Sequence, residues 1–166
     1  MNLYEYGIPG MALKPQNIGI SAVQGEAIVE PWLKGTRLLA VFIAGAMAAT
    51  DDITISVKRR RVGTSTWDVV YQNDGTTPLA FEASGDGETL ENGYIFGELD
   101  LTRLKVNKDE NGETYDYDAI AFFAANAVAQ NVIVGGTYYI GDLYSRPPTT
   151  ADSVQLILDQ RNNSAD

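Results

Sequence analysis

The chain has 166 residues, of which 45% are apolar and 20% are charged, a composition typical of a single globular domain. Twenty-two acidic side chains outnumber twelve basic ones, and the net charge of -10 disfavours nucleic acid as a partner because phosphate groups are repelled. The chain has no Cys and no His, which excludes disulfides, thiolate nucleophiles, imidazole bases and Cys/His zinc sites.

Residues 1–15 are predicted to form an extended N-terminal arm. Tyr4, Tyr6 and Ile8 alternate with other residues, and Met11 follows a break at Pro9-Gly10. We expect an apolar and aromatic arm of this kind to dock onto its own domain or onto a neighbouring subunit. No basic stretch leads into an apolar core, so the arm is not expected to be a signal peptide.

A series of short β-strands is predicted over residues 16–148. An apolar run at residues 36–44 is typical of a central strand buried on both faces. Residues 52–61 alternate apolar and polar side chains, and residues 66–72 provide the return strand of a hairpin. Further strands are predicted at residues 79–83, 94–101, 114–126, 128–134 and 137–143, with a bulge at Gly97 and a break at Gly135-Gly136.

This spacing of strands and turns predicts an all-β fold, an antiparallel β-sandwich with jelly-roll-like connections. The longest apolar run, residues 38–49, is too short to cross a bilayer, so no membrane partner is expected. Residues 149–166 are predicted to be a C-terminal tail with at most a short helix, since Val154, Ile157 and Leu158 would share a helical face.

One turn resembles a calcium-binding loop. Asn107, Asp109 and Asn111 stand at positions 1, 3 and 5 of the EF-hand pattern, and Asp118 stands at position 12. Oxygen donors around a glycine turn suit Ca²⁺, but Asn at position 1 removes a charge and Asp is a shorter final ligand than Glu. The flanking strands are typical of an ordinary hairpin turn. The sequence therefore leaves two interpretations, a calcium site and a turn.

Four consecutive basic residues end the strand at residues 52–61. One interpretation is a docking site for an acidic partner surface or for a phosphate. The other is the solvent-exposed end of a strand whose charges pair within the chain. The candidate partner-binding residues, from the arm and from this basic cluster, are Tyr4, Tyr6, Ile8, Met11, Lys58, Arg59, Arg60 and Arg61.

No catalytic residue is assigned. The acid pairs Asp51-Asp52 and Asp116 with Asp118 could suggest a glycosidase, but in a chain with this many acidic residues solvated loop or turn carboxylates are the far better explanation. Neither a G-x-S-x-G elbow nor a phosphate-binding loop occurs. Trp32, Trp67 and nine Tyr residues supply the rings for a sugar-stacking platform, although such rings are more often part of a core or a subunit contact.

Five segments carry a resemblance to known proteins. They are residues 38–44 (LLAVFIA), residues 52–61, residues 65–70 (STWDVV), residues 118–125 (DAIAFFAA) and the ending YIGDLYSRPP at residues 139–148. In the order of these segments the chain resembles the β-sandwich head decoration, or cement, proteins of tailed bacteriophages. The resemblance covers residues 35–148 and is one of layout. The long aromatic arm and the acidic loop depart from the minimal form of such proteins.

This resemblance implies a non-enzymatic virion structural protein that is made in the host cytoplasm. It implies that the protein binds the major capsid protein on the outside of the phage head, as a homo-oligomer and in many cases as a trimer. No cofactor is expected other than Ca²⁺ at Asn107, Asp109, Asn111 and Asp118. A carbohydrate- or receptor-binding β-sandwich module, calcium-dependent if that loop binds the ion, remains the alternative function.

Overall fold

Two β-sheets make up the computed structural model, which describes residues 7–72, 75–85, 93–104, 106–108, 114–129, 131–141 and 154–157. Within these ranges, no helix is long and apolar enough to cross a membrane. The strands, in chain order, are β1 (Gly7–Ile18), β2 (Val23–Gln24), β3 (Ile28–Val29), β4 (Arg37–Ala44), β5 (Asp52–Arg61), β6 (Trp67–Val69), β7 (Ala80–Ser84), β8 (Gly93–Asp100), β9 (Val106–Lys108), β10 (Thr114–Asn126), β11 (Val132–Gly141) and β12 (Val154–Ile157).

The first sheet has five strands in the order β1-β11-β4-β8-β12. The second sheet has the order β2-β10-β5-β6, with β3 and β9 also beside β10 and β7 also beside β5. All of these pairs are antiparallel except β12 with β8, which is parallel. The predicted all-β sandwich is confirmed, whereas jelly-roll connectivity stays a prediction.

The core lies between the two sheets and is built from the inward side of each strand. Along β4 every second residue is buried, and along β5 the same alternation buries Ile53, Ile55 and Val57. The rings of Phe42 in the first sheet and Phe122 in the second meet edge to face, with centroids 5.1 Å apart. Burial of these apolar side chains is the main favourable contribution to folding.

Two glycine positions differ from the sequence prediction. The strand β11 runs without a break through Gly135-Gly136, and β8 pairs with β4 in continuous register through Gly97, so neither the break nor the bulge is present. The physical reason is packing. A Cβ on Gly136 would overlap the ring of Phe42, and a Cβ on Gly97 would overlap the ring of Phe81.

The arm and the tail also differ from their predicted form. The strand β1 crosses the predicted boundary at residue 15 and pairs with β11 from Gly7 opposite Gly141 to Ile18 opposite Val132. Residues 7–15 are therefore part of the sandwich, held by backbone pairing, whereas residues 1–6 lie outside the described residues. The short helix predicted near Val154 is wrong, because Val154–Ile157 is a strand whose backbone pairs with β8.

We expect Gly136→Ala to lower the free energy of unfolding by about 1 to 3 kcal/mol, because Phe42 is fully buried and has little room to move aside. Gly45→Ala is the matched control, since its Cβ would lie 3.5 Å from the carbonyl oxygen of Ile133, an ordinary contact. Urea unfolding of the two variants measures the difference. Equal stability of the two variants would contradict this account of the glycine.

Candidate binding surfaces

The basic cluster lies inside the second sheet. The strand β5 that carries it has β10 on one side and β6 on the other, so its backbone is paired along both edges. Arg59 stands opposite Ile120 and Asp68, and only 1% of its surface is exposed. Arg59 continues the row of inward side chains on β5 that begins at Ile53. It therefore places a positive charge at the end of the apolar core.

Arg59 is only partly satisfied in this position. Its guanidinium lies over the ring of Tyr117, 4.1 Å from the ring centre, and Nη1 donates a hydrogen bond of 3.4 Å to the carbonyl oxygen of Leu104. Its Nε has no hydrogen-bond partner among the described residues. Burial lowers the pKa of Arg59, while the charges of Tyr117 and Asp68 act in the opposite direction.

Asp68 is the acidic centre of this region. Its carboxylate accepts hydrogen bonds of 2.6 and 3.0 Å from Arg61 and one of 2.9 Å from the hydroxyl of Tyr117. Burial would raise the pKa of Asp68, but the bonds from Arg61 and Tyr117 hold that pKa below its ordinary value. Burial, assisted by the bond to Asp68, raises the pKa of Tyr117 to about 12. The Asp68 carboxylate thus binds one guanidinium directly and lies beside a second.

The remaining cations of the cluster face the opposite side of the sheet. An irregularity in β10 between Tyr117 and Ala119 allows Tyr117 to point inward while Asp118 points outward. Asp118 then accepts two hydrogen bonds from Arg60, of 2.9 and 3.2 Å. Lys58 lies 4.5 Å above the ring of Phe123. All four basic side chains therefore have partners within the chain, which supports internal pairing over docking at this cluster.

The structure describes only part of the predicted calcium loop. The backbone of Asn107 pairs with Tyr115 in β9 and β10, while Asp109 and Asn111 lie outside the described residues. Both carboxylate oxygens of Asp118 are bound by Arg60. In the part of the chain that the structure describes, no three acidic side chains come together as a metal site would need. The calcium site stays a prediction, and it requires Asp118 to exchange Arg60 for the ion.

An apolar surface that the sequence did not single out covers the outer side of the first sheet. Met11, Thr137, Val41 and Phe96 stand opposite one another across β1, β11, β4 and β8. Directly opposed residues of antiparallel strands share a face, so these four side chains form one row. A parallel row on one side contains Pro9, Tyr139, Leu39 and Glu98, and a row on the other side contains Gly135, Ile43 and Tyr94. These three rows form the outer face of the first sheet.

The outer face is exposed and almost uncharged. The exposed fractions are 46% for Met11, 49% for Ile43 and 42% for Tyr94. Charged groups lie at one end, where Arg37 pairs with Glu98. A shallow depression of about 510 Å³ lies on this surface, lined by Pro9, Gly10, Met11, Leu39, Val41, Thr137, Tyr138 and Tyr139. Most of these groups are apolar, so they are suited to contacts that are made by burial.

The sequence contained one signal for this surface. Leu39, Val41 and Ile43 make β4 apolar on both faces, and this pattern predicts a strand buried on both sides. The structure buries the inward side, but Ile43 on the other side is half exposed. A strand that is apolar on both sides with only one side covered is typical of an association surface.

The candidate partner-binding residues are thus divided between two places. Met11 lies on the outer face, Ile8 is exposed opposite Ile140 on the same strand pair, and the basic cluster lies in the other sheet. Tyr4 and Tyr6 are outside the described residues.

Comparison of the chain with protein-family models, curated proteins and solved structures finds no match. Function is therefore argued from the geometry and the sequence.

We expect Arg59→Met to leave the free energy of unfolding unchanged or to raise it, because Met fills a similar volume without a buried, incompletely bonded guanidinium. Asp68→Asn is the comparison variant and should destabilise the protein, since it weakens the acceptor of Arg61 and Tyr117. Urea unfolding measures both. A loss from Arg59→Met as large as that from Asp68→Asn would mean that the Arg59 charge stabilises the fold.

The melting temperature is expected to be the same in excess Ca²⁺ and in EDTA, because Arg60 already binds both oxygens of Asp118. Differential scanning calorimetry provides the measurement. A higher melting temperature in Ca²⁺ that Asp109→Ala removes would instead establish the loop as a calcium site.

Proposed function

We propose that this chain is a non-enzymatic structural protein of a phage particle, a decoration protein that attaches to the major capsid protein on the outside of the head. The observation that carries the proposal is the outer face of the first sheet. Met11, Ile43 and Tyr94 are exposed on one contiguous apolar surface. Exposed apolar surfaces of this kind are often sites of protein–protein contact.

The charge of the chain supports the outside of the particle over the inside. At a net charge of -10, the protein would be repelled by packaged DNA. The interior of the head would therefore be an unfavourable location. Contact through an apolar surface does not depend on that repulsion. The layout resemblance to head decoration proteins points in the same direction.

The N-terminal residues belong to the same proposal. Tyr4 and Tyr6 immediately precede β1, the strand that carries Met11 on the outer face. We propose that these aromatic side chains add to the contact with a neighbouring subunit. Modest contacts of this kind gain strength on a shell, because many linked copies bind at once.

A carbohydrate- or receptor-binding module is the second candidate, and the aromatic content of the outer face favours it. Tyr94 and Tyr139 both lie there, as sugar stacking would require. The two tryptophans are used elsewhere, because Trp67 packs against Phe123 and Trp32 packs against the core. The aliphatic neighbours Leu39, Val41 and Ile43 offer a sugar no hydrogen bonds, which favours the structural protein.

We expect Ile43→Lys to reduce co-sedimentation with undecorated phage heads by roughly tenfold or more, because a charge placed on the outer face opposes its burial. A point substitution is preferable to deletion of residues 1–15, since the deletion would also remove most of β1.

Val62→Lys is the matched control. Val62 is a β-branched residue with a similar exposed fraction, 55%, but it follows β5 in the second sheet. Retained binding by Val62→Lys with loss by Ile43→Lys supports attachment through the outer face. Failure of the wild-type protein to bind any head would refute the proposed function, and glycan-array binding that Tyr94→Ala abolishes would favour the second candidate.

A further inference from the structure

We propose that the edge of β8 that faces away from β4 is a strand-acceptor site, which takes residues 154–157 from a neighbouring copy of this chain where copies are packed side by side. In the structure this edge is filled by the chain's own Val154–Ile157, which is β12. The ligand class is therefore an extended segment that runs parallel to β8. The inference goes beyond the proposed function, because it concerns an edge of the first sheet and not its outer face.

The C-terminal strand closes one side of the sandwich. At the end of the first sheet β12 pairs with residues 94–97 of β8, and it also lies beside β7 at the margin of the second sheet. The opposite side is closed by the residues between β2 and β3, where the amide of Gly25 donates a hydrogen bond to Phe122 and that of Glu26 donates one to Ala12. The β8 side thus depends on a segment from the far end of the chain.

The pairing of β12 is of a kind that can open and form again. It comprises four residues, and it is parallel, which is slightly less stable per residue than antiparallel pairing. When β12 leaves, the amide and carbonyl groups on this edge of β8 have no strand beside them, and such an edge accepts a strand that fits. A second copy offers the identical segment and makes the identical backbone bonds. Exchange therefore changes which chain supplies the strand and not how well the strand fits.

The connection to β12 is long enough to reach either β8. β11 ends at Gly141 beside Arg37, whereas β12 begins at Val154 beside Tyr94, at the opposite end of the first sheet. The distance along the strands and across three strand spacings is about 25 Å. Residues 142–153 can span up to about 40 Å when fully extended. This length serves the chain's own sheet and also that of an adjacent copy.

Local concentration decides which chain supplies the strand. A connection of this length holds the chain's own β12 near its β8 at an effective concentration of roughly 1 mM. Dissolved copies at micromolar concentration cannot compete, so the free protein keeps β12 on its own sheet. Under the proposed function, copies stand a few nanometres apart on a shell and offer their strands at about the same millimolar concentration. Exchange then links adjacent copies through contacts that each chain already makes.

Charge does not oppose this exchange. Each chain carries a net charge of -10, so most surfaces of two copies repel each other. Residues 94–97 (YIFG) and residues 154–157 (VQLI) contain no charged residue, and Val and Ile favour strands. The segment that the site takes is thus a short apolar stretch within a mostly polar tail.

The chain has no cysteine, so the pairing can be tested with introduced disulfides. Tyr94 and Val154 stand opposite each other, and adjacent strands are about 4.8 Å apart, a distance that a disulfide bridges. A glutathione redox buffer supplies the oxidant. In this buffer the double variant Tyr94→Cys/Val154→Cys, at about 1 µM, should close an intramolecular disulfide, because its own strand fills the site in dilute solution.

Mixing the two single variants tests the exchange itself. Neither variant can join positions 94 and 154 within one chain, so that bond reports a strand supplied by the other chain. Tyr94→Cys mixed with Ile157→Cys is the matched control, since position 157 lies about 10 Å further along the strand, beyond the reach of a disulfide. At about 1 mM, mass spectrometry should find the bond between positions 94 and 154 at least about tenfold more abundant than the control bond.

The outcomes separate clearly. An excess of the in-register bond over the control supports a neighbour's strand at the β8 edge. Equal yields of the two bonds at every concentration up to about 1 mM would overturn the inference, and so would a double variant that forms no intramolecular bond. If Tyr94→Cys impairs folding, Phe96→Cys with Leu156→Cys provides a second pair in the same register. No phage particle enters this measurement, so a failure of the protein to bind heads would leave its result unchanged.

Discussion

The packing of three phenylalanine rings between the sheets fixes the rest of this structure. Phe42, Phe81 and Phe122 form one group, with centroids 5.1 Å apart for Phe42 and Phe122 and 6.3 Å apart for Phe81 and Phe122. Phe42 occupies the space that a side chain on Gly136 would need, and Phe81 does the same at Gly97. Phe42 therefore requires Gly136 opposite it in the neighbouring strand β11, and Phe81 requires Gly97 across the core in β8. A register shift of one residue would place a side chain in the space that the ring occupies. It would also move the inward side chains of the shifted strand to the opposite face.

The outer face follows from the same register. With Phe42 inward beside Gly136, the neighbouring Val41 must point outward and stand opposite Thr137. The pairing of β4 with β8 then places Phe96 in the same row. The apolar surface is thus the reverse side of the core packing, because a strand has only two faces and β4 is apolar on both. A change that disturbs the core register would disturb the outer face with it.

The second sheet accommodates a charge at the end of the core, because the alternation along β5 directs Arg59 inward. Arg59 is covered by the ring of Tyr117 and lies across from Asp68. Tyr117 reaches that position only because β10 is irregular there, and the same irregularity directs Asp118 outward to Arg60. A buried ion group of this kind contributes little to stability but permits few alternative arrangements. It is therefore better suited to fixing the position of β10 than to holding a partner.

The sequence predicted what depends on neighbouring residues and missed what depends on distant ones. The strands β5 and β10 are predicted from alternation and β4 from its apolar run, because both signals are local. The glycines at residues 97 and 136 were misread as a bulge and a break, since the rings that require them belong to other strands. The arm was separated from the sandwich because its partner, β11, follows more than a hundred residues later. The sequence leaves two interpretations of the basic cluster for the same reason, because Asp118 is distant in sequence.

An association surface made of aliphatic and aromatic groups gains free energy from area and not from direction. The shape of the surface is therefore what can make binding selective. Only a partner whose shape fits the depression and also covers Ile43 and Tyr94 buries the whole apolar face. The net charge of the chain adds selectivity in the opposite sense, by repelling acidic surfaces that meet it anywhere else. Shape at one face and repulsion over the remainder together favour one ordered contact over general aggregation. Under the proposed function this combination matters, since each copy that is added to a finished shell has to stay soluble until it meets its site.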